Sequence, residues 1–175
     1  MRALYRCVAA SLAALSLSLL TALVDAPQAD AREMVAFNGG VPTGTIVVRT
    51  GERKLYLVIG DGHALRYTVG VGRVGRQWAG RSFIDGKHVR PDWSPPPDIA
   101  KEHPGLPRVI PGGSPQNPMG VAALTLDGGQ YAIHGTNSPD SIGGFVSYGC
   151  IRMYNQDITD LFDRVSVGTP VLVTR

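Results

Sequence analysis

Short stretches in which apolar and polar residues alternate dominate the chain after residue 44. Three of them lie at residues 45–50, 54–59 and 65–71, and a period of two is typical of half-buried β-strands. The turn residues Thr50-Gly51-Glu52 and Gly60-Asp61-Gly62 separate them, as in antiparallel strands joined by short connections. This pattern predicts an antiparallel β-meander.

The second half of the chain continues the β pattern. Residues 121–126 and 130–134 flank Asp127-Gly128-Gly129, which is a hairpin turn signal, and residues 171–174 follow Gly168-Thr169-Pro170 as a last strand. A single helix is predicted between them, because apolar residues recur at helical spacing at Ile158, Leu161, Phe162 and Val165. Asn155 or Asp157 is available as its N-cap. The fold is therefore expected to be mainly β, with few helices.

A proline-rich segment interrupts this pattern. Nine of the thirteen prolines lie between Pro91 and Pro118, and proline is excluded from central strands. Loops of this length in compact domains are usually functional or disordered. Trp93 precedes a Ser-Pro-Pro run, so we interpret the segment either as the wall of a substrate groove or as a surface loop whose tryptophan covers the core.

The N-terminus predicts export. Arg2 and Arg6 precede an apolar run at residues 7–24, and Ala29-Asp30-Ala31 is a typical signal-peptidase site. We expect residues 1–31 to be a signal peptide cleaved before Arg32, with an uncleaved membrane anchor as the alternative. Residues 32–44 are then a short lead, and residues 45–175 form one domain that faces the periplasm or the cell wall.

Charge and cysteine content narrow the function. The net charge of +3 survives removal of residues 1–31, and no Lys/Arg run suggests nucleic-acid binding. A mildly basic exported domain suits an anionic polymer. The remaining chain has one cysteine, Cys150, and so no internal disulfide.

Cys150 is the predicted nucleophile. It lies in the turn-like sequence Ser147-Tyr148-Gly149-Cys150, and His134 stands sixteen residues before it at the end of a predicted strand. A thiol reacts as the thiolate, and a nearby imidazole is the usual base. The predicted helix begins soon after Cys150, so its N-terminus could lower the pKa of the thiol. The alternative is a buried, inert cysteine that acts as a small apolar residue.

The residues around Cys150 suggest further roles. The backbone amides of Gly149 and Cys150 are candidate donors to an oxyanion. Ser147 either adds a hydroxyl to that site or stabilises the turn. Arg152 either binds a substrate carboxylate or braces the loop through carbonyl contacts.

Metal and dinucleotide sites are not indicated. His63, His88 and His103 do not have a zinc-ligand spacing with one another or with Cys150. Gly70-x-Gly72-x-x-Gly75 matches a dinucleotide fingerprint only by its letters, since no βαβ unit surrounds it. We therefore expect no metal and no cofactor.

From about residue 45 onward the chain resembles the L,D-transpeptidase catalytic domain of bacterial cell-wall enzymes. The specific part is His134-Gly135-Thr136 followed by Ser147-x-Gly149-Cys150-x-Arg152-Met153. Supporting motifs are Pro91-x-Trp93-x-Pro95-Pro96, Asn117-Pro118-x-Gly120 and Val167-Gly168-Thr169.

The resemblance implies a β-sandwich or mixed-sheet domain with one or two short helices. In such enzymes the cysteine attacks the bond after the third residue of a tetrapeptide stem, and an amine on a neighbouring stem resolves the acyl-enzyme into a 3→3 cross-link. The partners are thus peptidoglycan stem peptides, with another amine-bearing acceptor or a wall-attached protein as possibilities, and the protein is expected to be a monomer. Carbapenems typically acylate these enzymes.

The resemblance also assigns roles to residues. His134 becomes the base, the carbonyl of Gly135 orients its ring, Tyr148 belongs to the oxyanion loop, and Thr136, Trp93 and Asn117 join Arg152 as substrate-binding residues. The alternatives are an L,D-carboxypeptidase or cross-link hydrolase on the same scaffold, or a non-catalytic peptidoglycan-binding module.

Two departures from the family pattern stand out. Many members have a histidine where this chain has Tyr148, and many have a Thr-Pro-x-Gly turn near Gln77-Trp78-Ala79-Gly80, of which only the glycine is present. We therefore expect no second imidazole at this position beside the thiol, and a groove entrance that differs from that of the family.

Overall fold

A computed structural model of the protein describes residues 32–175. The predicted signal peptide lies outside the described residues. Within them the chain forms eleven strands and two α-helices: β1 Arg32–Ala36, β2 Ile46–Arg49, β3 Lys54–Gly60, β4 His63–Thr68, β5 Val71–Gly72, β6 Gly80–Val89, α1 Pro97–Glu102, β7 Ala122–Leu126, β8 Ala132–His134, β9 Phe145–Ser147, β10 Ile151–Arg152, α2 Asn155–Arg164 and β11 Pro170–Thr174.

Nine strands form one mixed sheet in the order β1-β4-β3-β2-β11-β6-β7-β8-β10. Most neighbours are antiparallel, but β11 runs parallel to β2 and β10 runs parallel to β8. A separate pair, β5 and β9, is also parallel. The mainly β, mixed-sheet prediction with two short helices is therefore confirmed.

The meander of β2, β3 and β4 forms as predicted, because each strand hydrogen-bonds antiparallel to the next. The predicted run 65–71 ends earlier, at Thr68, and Val71 pairs with β9 instead. Sequence patterning missed β6, in which only Ile84 is buried, so no alternation was visible. It also missed β1 in the supposed lead at residues 32–44, where a strand pairs with β4.

The main core lies between the sheet and α2. Ile158 and Leu161 of α2 are fully buried there against apolar residues of the strands. The helix was predicted correctly, but its cap was not: the N-cap is Tyr154, which makes no side-chain cap hydrogen bond. Asn155 is the first helical residue, and its side chain bonds to Thr136 instead.

The proline-rich segment is an ordered excursion beside the sheet. Trp93 and Ile110 form an isolated antiparallel bridge at its neck, with N···O distances of 2.9 and 2.8 Å. The excursion between them contains α1, which buries none of its residues. As predicted, the segment contributes no strand to the sheet.

Candidate active site

Cys150 and His134 are brought together by the parallel pairing of β8 with β10. His134 ends β8 and lies opposite Arg152 in the register. Cys150 immediately precedes β10, so both side chains open into one cavity of about 390 Å³. The structure thus joins the predicted nucleophile and base, which stand sixteen residues apart in sequence.

The proline-rich segment supplies one wall of this cavity, and the strands and the cysteine turn supply the rest. The lining residues are Arg76, Trp93, Pro96, Pro97, Asp98, Ile99, Pro118, Met119, Gly129, Gln130, Tyr131, His134, Ser147, Tyr148, Cys150 and Arg152. Trp93 therefore lines the groove, in agreement with the first of its two interpretations.

His134 is buried and held in one tautomer. Its Nδ1 lies 2.7 Å from the carbonyl oxygen of Gly135, which only a ring N–H can satisfy. Burial and, secondarily, the nearby Arg152 cation lower the pKa of His134 to about 4, against the effect of the Gly135 and Pro118 carbonyls. At neutral pH the ring is therefore uncharged, and Nε2 is the nitrogen that can accept a proton.

The Cys150 thiol is also uncharged in the resting state. Although the residue is partly exposed, its dense surroundings raise the pKa of the thiol, while the Ala132 backbone N–H and the Arg152 cation act in the opposite direction. Burial therefore outweighs both of these effects, and the lowering of this pKa by the N-terminus of α2 stays a prediction. Within residues 32–175 no hydrogen bond joins the thiol to the imidazole, whose Nδ1 is bonded to the Gly135 carbonyl.

The turn before Cys150 is closed by its own hydrogen bonds. The Gly149 N–H donates to Ser147 Oγ at 3.0 Å, and that hydroxyl donates to the Cys150 carbonyl at 2.6 Å. Ser147 therefore stabilises the turn, and the prediction of a free Gly149 amide is wrong. The Cys150 amide has no acceptor within the described part of the chain, and it remains the candidate oxyanion donor.

Position 149 accommodates only glycine. Its φ of +128° disfavours side chains, and a Cβ there would lie 2.3 Å from Cε1 of Tyr131. Tyr131 stacks on Trp78 with ring centroids 4.9 Å apart, and the Trp78 indole N–H donates to the Gly149 carbonyl at 2.9 Å. The sequence interpretation missed both aromatic residues. The only available signal was Trp78, within a motif that departs from the family pattern.

Arg152 presents an unpaired cation to the cavity. Its backbone bonds to Gly70 in both directions at 2.8 Å, which fixes the start of the side chain. Its Nε is buried and has no partner among residues 32–175. The predicted carbonyl contacts of the guanidinium are not observed there, so a bound anion fits the site better than a brace.

Tyr148 joins the cavity to the proline-rich segment. Its hydroxyl donates to Glu102 at the end of α1, and His103 Nε2 lies 3.4 Å from the same oxygen. The Arg73 guanidinium stands 4.0 Å from the centre of its ring. Tyr148 thus links the cysteine turn to the end of α1, and the histidine beside its hydroxyl is His103 of the proline-rich segment.

Asn117 and Thr136 do not line the cavity, contrary to their predicted role as substrate-binding residues. Asn117 is 1% exposed and donates to the carbonyls of Pro91, Ile110 and Pro111. Thr136 is 3% exposed, and its amide donates to Asn155 Oδ1 at 3.0 Å. Both side chains are used inside the protein, where they shape the loops around the site.

Within residues 32–175 no group of three or more His, Cys, Asp or Glu side chains could hold a metal ion. None of the helices described there is long and apolar enough to cross a membrane.

Comparison with known proteins places this geometry in a family. Residues 43–173 match the family model YkuD, the L,D-transpeptidase catalytic domain. The probable L,D-transpeptidase ErfK/SrfK of Escherichia coli is 40% identical over 137 residues, covering 73% of this chain and 43% of that protein. The putative L,D-transpeptidase YqjB of Bacillus subtilis is 51% identical over 70 residues, covering 37% of this chain and 40% of that protein. The chain thus spans less than half the length of these relatives.

Solved structures show the same fold. The catalytic domain of the Enterococcus faecium L,D-transpeptidase, determined by NMR, has a TM-score of 0.59 and 22% identity, covering 78% of this chain and all of that one. L,D-transpeptidase 3 from Mycobacterium tuberculosis has a TM-score of 0.56 and 15% identity, covering 75% and 60% of the two chains. With the family match over residues 43–173, the conclusion is that this chain belongs to the L,D-transpeptidase catalytic domain family.

Proposed function

We propose that the protein is a peptidoglycan L,D-transpeptidase that acts through a Cys150 acyl-enzyme. One observation carries the proposal: Cys150 and His134 share a cavity with Arg152, whose buried Nε has no partner among residues 32–175. This combination suits acyl transfer on an anionic peptide, and the family membership supports the same reaction.

The acylation step follows from the protonation states. As Cys150 Sγ attacks the carbonyl carbon of the third stem residue, His134 Nε2 takes the thiol proton. The Gly135 carbonyl accepts from Nδ1–H and stabilises the imidazolium that forms. The Cys150 N–H donates to the developing oxyanion. Collapse of the intermediate breaks the C–N bond, and the imidazolium protonates the departing terminal D-amino acid.

The second half reverses these roles. The amine of a neighbouring stem attacks the thioester carbonyl and His134 Nε2 accepts its proton. The Cys150 thiolate then leaves and takes that proton from the imidazolium. The product is a 3→3 cross-link. If water replaces the amine, the same steps give a carboxypeptidase.

Arg152 is the residue proposed to bind a carboxylate of the stem peptide. An anion in the cavity would provide the partner that its buried Nε lacks. Arginine is suited to this role because its planar fork binds a carboxylate through two hydrogen bonds.

The proposed setting is outside the inner membrane, after cleavage of residues 1–31. The acceptor is proposed to be an amine on a second stem peptide, and the enzyme to act as a monomer. The basic start, the apolar run and the Ala-x-Ala site of the sequence support the export and the cleavage.

The test is intact mass spectrometry of the protein, residues 32–175, incubated with purified disaccharide-tetrapeptide, alongside the Cys150→Ala and His134→Ala variants. We expect an acyl adduct that needs Cys150, a cross-linked dimer in solution, and acylation slowed by about a hundredfold or more in His134→Ala. An adduct that resolves only to tripeptide would indicate a carboxypeptidase. No adduct from a folded protein that still binds peptidoglycan would indicate a binding module.

A further inference from the structure

We propose that Trp78 is a positioning residue for the oxyanion site: its indole N–H fixes the peptide plane that carries the Cys150 amide. The inference rests on the proposed acyl-transfer function, because it concerns the donor to the oxyanion of that reaction. Trp78 lies in the loop between β5 and β6, 71 residues before Gly149 in the sequence.

The first step concerns one peptide bond. The Gly149 carbonyl and the Cys150 N–H belong to the same planar, trans peptide unit, so they point in opposite directions. Trp78 Nε1 donates to the Gly149 carbonyl at 2.9 Å. A bond that fixes the direction of the carbonyl therefore also fixes the direction of the Cys150 N–H.

The second step explains why this peptide needs an external restraint. Gly149 has a φ of +128° and no side chain, so its own torsions resist a flip of the following peptide only weakly. Ser147 restrains both neighbouring units, through the Gly149 N–H and the Cys150 carbonyl. The peptide between them has Trp78 as its side-chain restraint.

The third step concerns the rigidity of the donor itself. The Trp78 ring is stacked on Tyr131 with an interplanar angle of 7°, and Tyr131 lies directly against the α-carbon of Gly149. The two rings and the glycine form one packed layer. A donor held in this way orients the amide before substrate binds, which is the condition for effective oxyanion stabilisation.

The experiment separates oxyanion stabilisation from reactivity of the thiol. Acylation by 4-nitrophenyl acetate forms a bond from Sγ to the acetyl carbon through a tetrahedral oxyanion, and 4-nitrophenolate leaves as the thiol proton is removed by the base. Alkylation by iodoacetamide also forms a bond to Sγ and expels iodide, but no oxyanion arises. Both rates are measured at Cys150 in the wild type, in Trp78→Phe, and in a protein with 3-benzothienylalanine at position 78, which has sulfur in place of the ring N–H.

We expect both substitutions to slow acylation by about ten- to a hundredfold, somewhat less than complete removal of an oxyanion donor. Alkylation should change by less than about twofold, because the base and the thiol are untouched. Tyr56→Phe, an aromatic change in the separate cluster around Phe37, is the matched control and should leave both rates unchanged.

Three results would overturn the inference. They are equal losses in both rates for the benzothienyl protein, no loss of acylation in either variant, or a wild-type acylation rate no higher than that of a free thiol. Failure of the proposed function is a different result: rapid acetylation of Cys150 that depends on Trp78, but no adduct with disaccharide-tetrapeptide.

Discussion

Replacement of Asp157 by asparagine should stabilise the protein at neutral and alkaline pH. Asp157 lies in the first turn of α2 and is 3% exposed, and its Oδ2 has no hydrogen-bond partner among residues 32–175. Burial and the neighbouring Asp160 raise the pKa of its carboxyl from 3.8 to about 6, although Arg32 acts in the other direction. The folded protein therefore carries a poorly solvated carboxylate above pH 6.

The sign and size follow from proton linkage. Because the pKa is higher in the folded state, stability falls as pH rises from about 3.8 to about 6 and stays lower above that. At about 1.36 kcal/mol per pKa unit, the penalty is on the order of 3 kcal/mol. Asparagine removes the charge but buries two N–H donors, so the expected net gain at pH 8 is about 1–2 kcal/mol.

Urea unfolding of both proteins at pH 4 and pH 8 measures this effect. At pH 4 the Asp157 carboxyl is largely protonated in the folded protein, so the variant should be about 0.5–1.5 kcal/mol less stable than wild type, and the gain should appear only at pH 8. Asp160 titrates in both proteins, so its contribution to the free energy of unfolding cancels in the difference. Burial raises the pKa of Asp160, but hydrogen bonds from Arg164, Tyr67 and Arg32 outweigh it and lower this pKa to about 2. An Asp157→Asn protein no more stable than wild type at pH 8 would refute the reasoning.

Four further outcomes are expected. Because the pKa of His134 is about 4, the pH–rate profile of Cys150 acylation should lack an acidic limb near pH 6.5 and should fall only toward pH 4; a half-maximal rate at 6.5 would contradict this. Arg152→Gln should lower kcat/KM for tetrapeptide by about tenfold or more with little change in Tm, whereas an equal loss of folding would indicate a brace. Gly149→Ala should reduce acylation at least about a hundredfold while circular dichroism shows a folded domain, because the added Cβ meets Tyr131; near-normal acylation would show that the turn tolerates a side chain. Asn117→Ala should cost about 1–3 kcal/mol in urea unfolding, since three carbonyls lose a donor, and an unchanged midpoint would contradict that.

Local patterns were enough to predict most of the sheet. Alternation and glycine turns located β2, β3, β7 and β8, which are largely buried and are joined by short connections. β6 escaped because most of its residues are exposed or half-buried. The N-cap of α2 was also misassigned, since Asn155 is used by the segment after β8. That contact depends on tertiary packing, which a local pattern does not contain.

The juxtaposition of Cys150 and His134 in one cavity could be predicted, but its electrostatics could not. Residue types and the short motif were enough to select Cys150 and His134. The pKa directions depend on burial and on Arg152, which comes opposite His134 only through the parallel pairing of β8 with β10. Trp78 was missed for the same reason, because its role arises from a contact between segments far apart in sequence.

The resting state of the site has a mechanistic consequence. In many thiol enzymes a thiolate–imidazolium pair exists before substrate binds, whereas burial here favours the neutral forms of both Cys150 and His134. Charge separation is then delayed until a substrate occupies the cavity. A neutral thiol is also less prone to oxidation, and this suits the proposed export of a chain with one cysteine outside residues 1–31. We therefore expect the proposed acyl transfer to depend on a well-oriented oxyanion donor, which makes the packing around Gly149 as important to that reaction as Cys150 and His134.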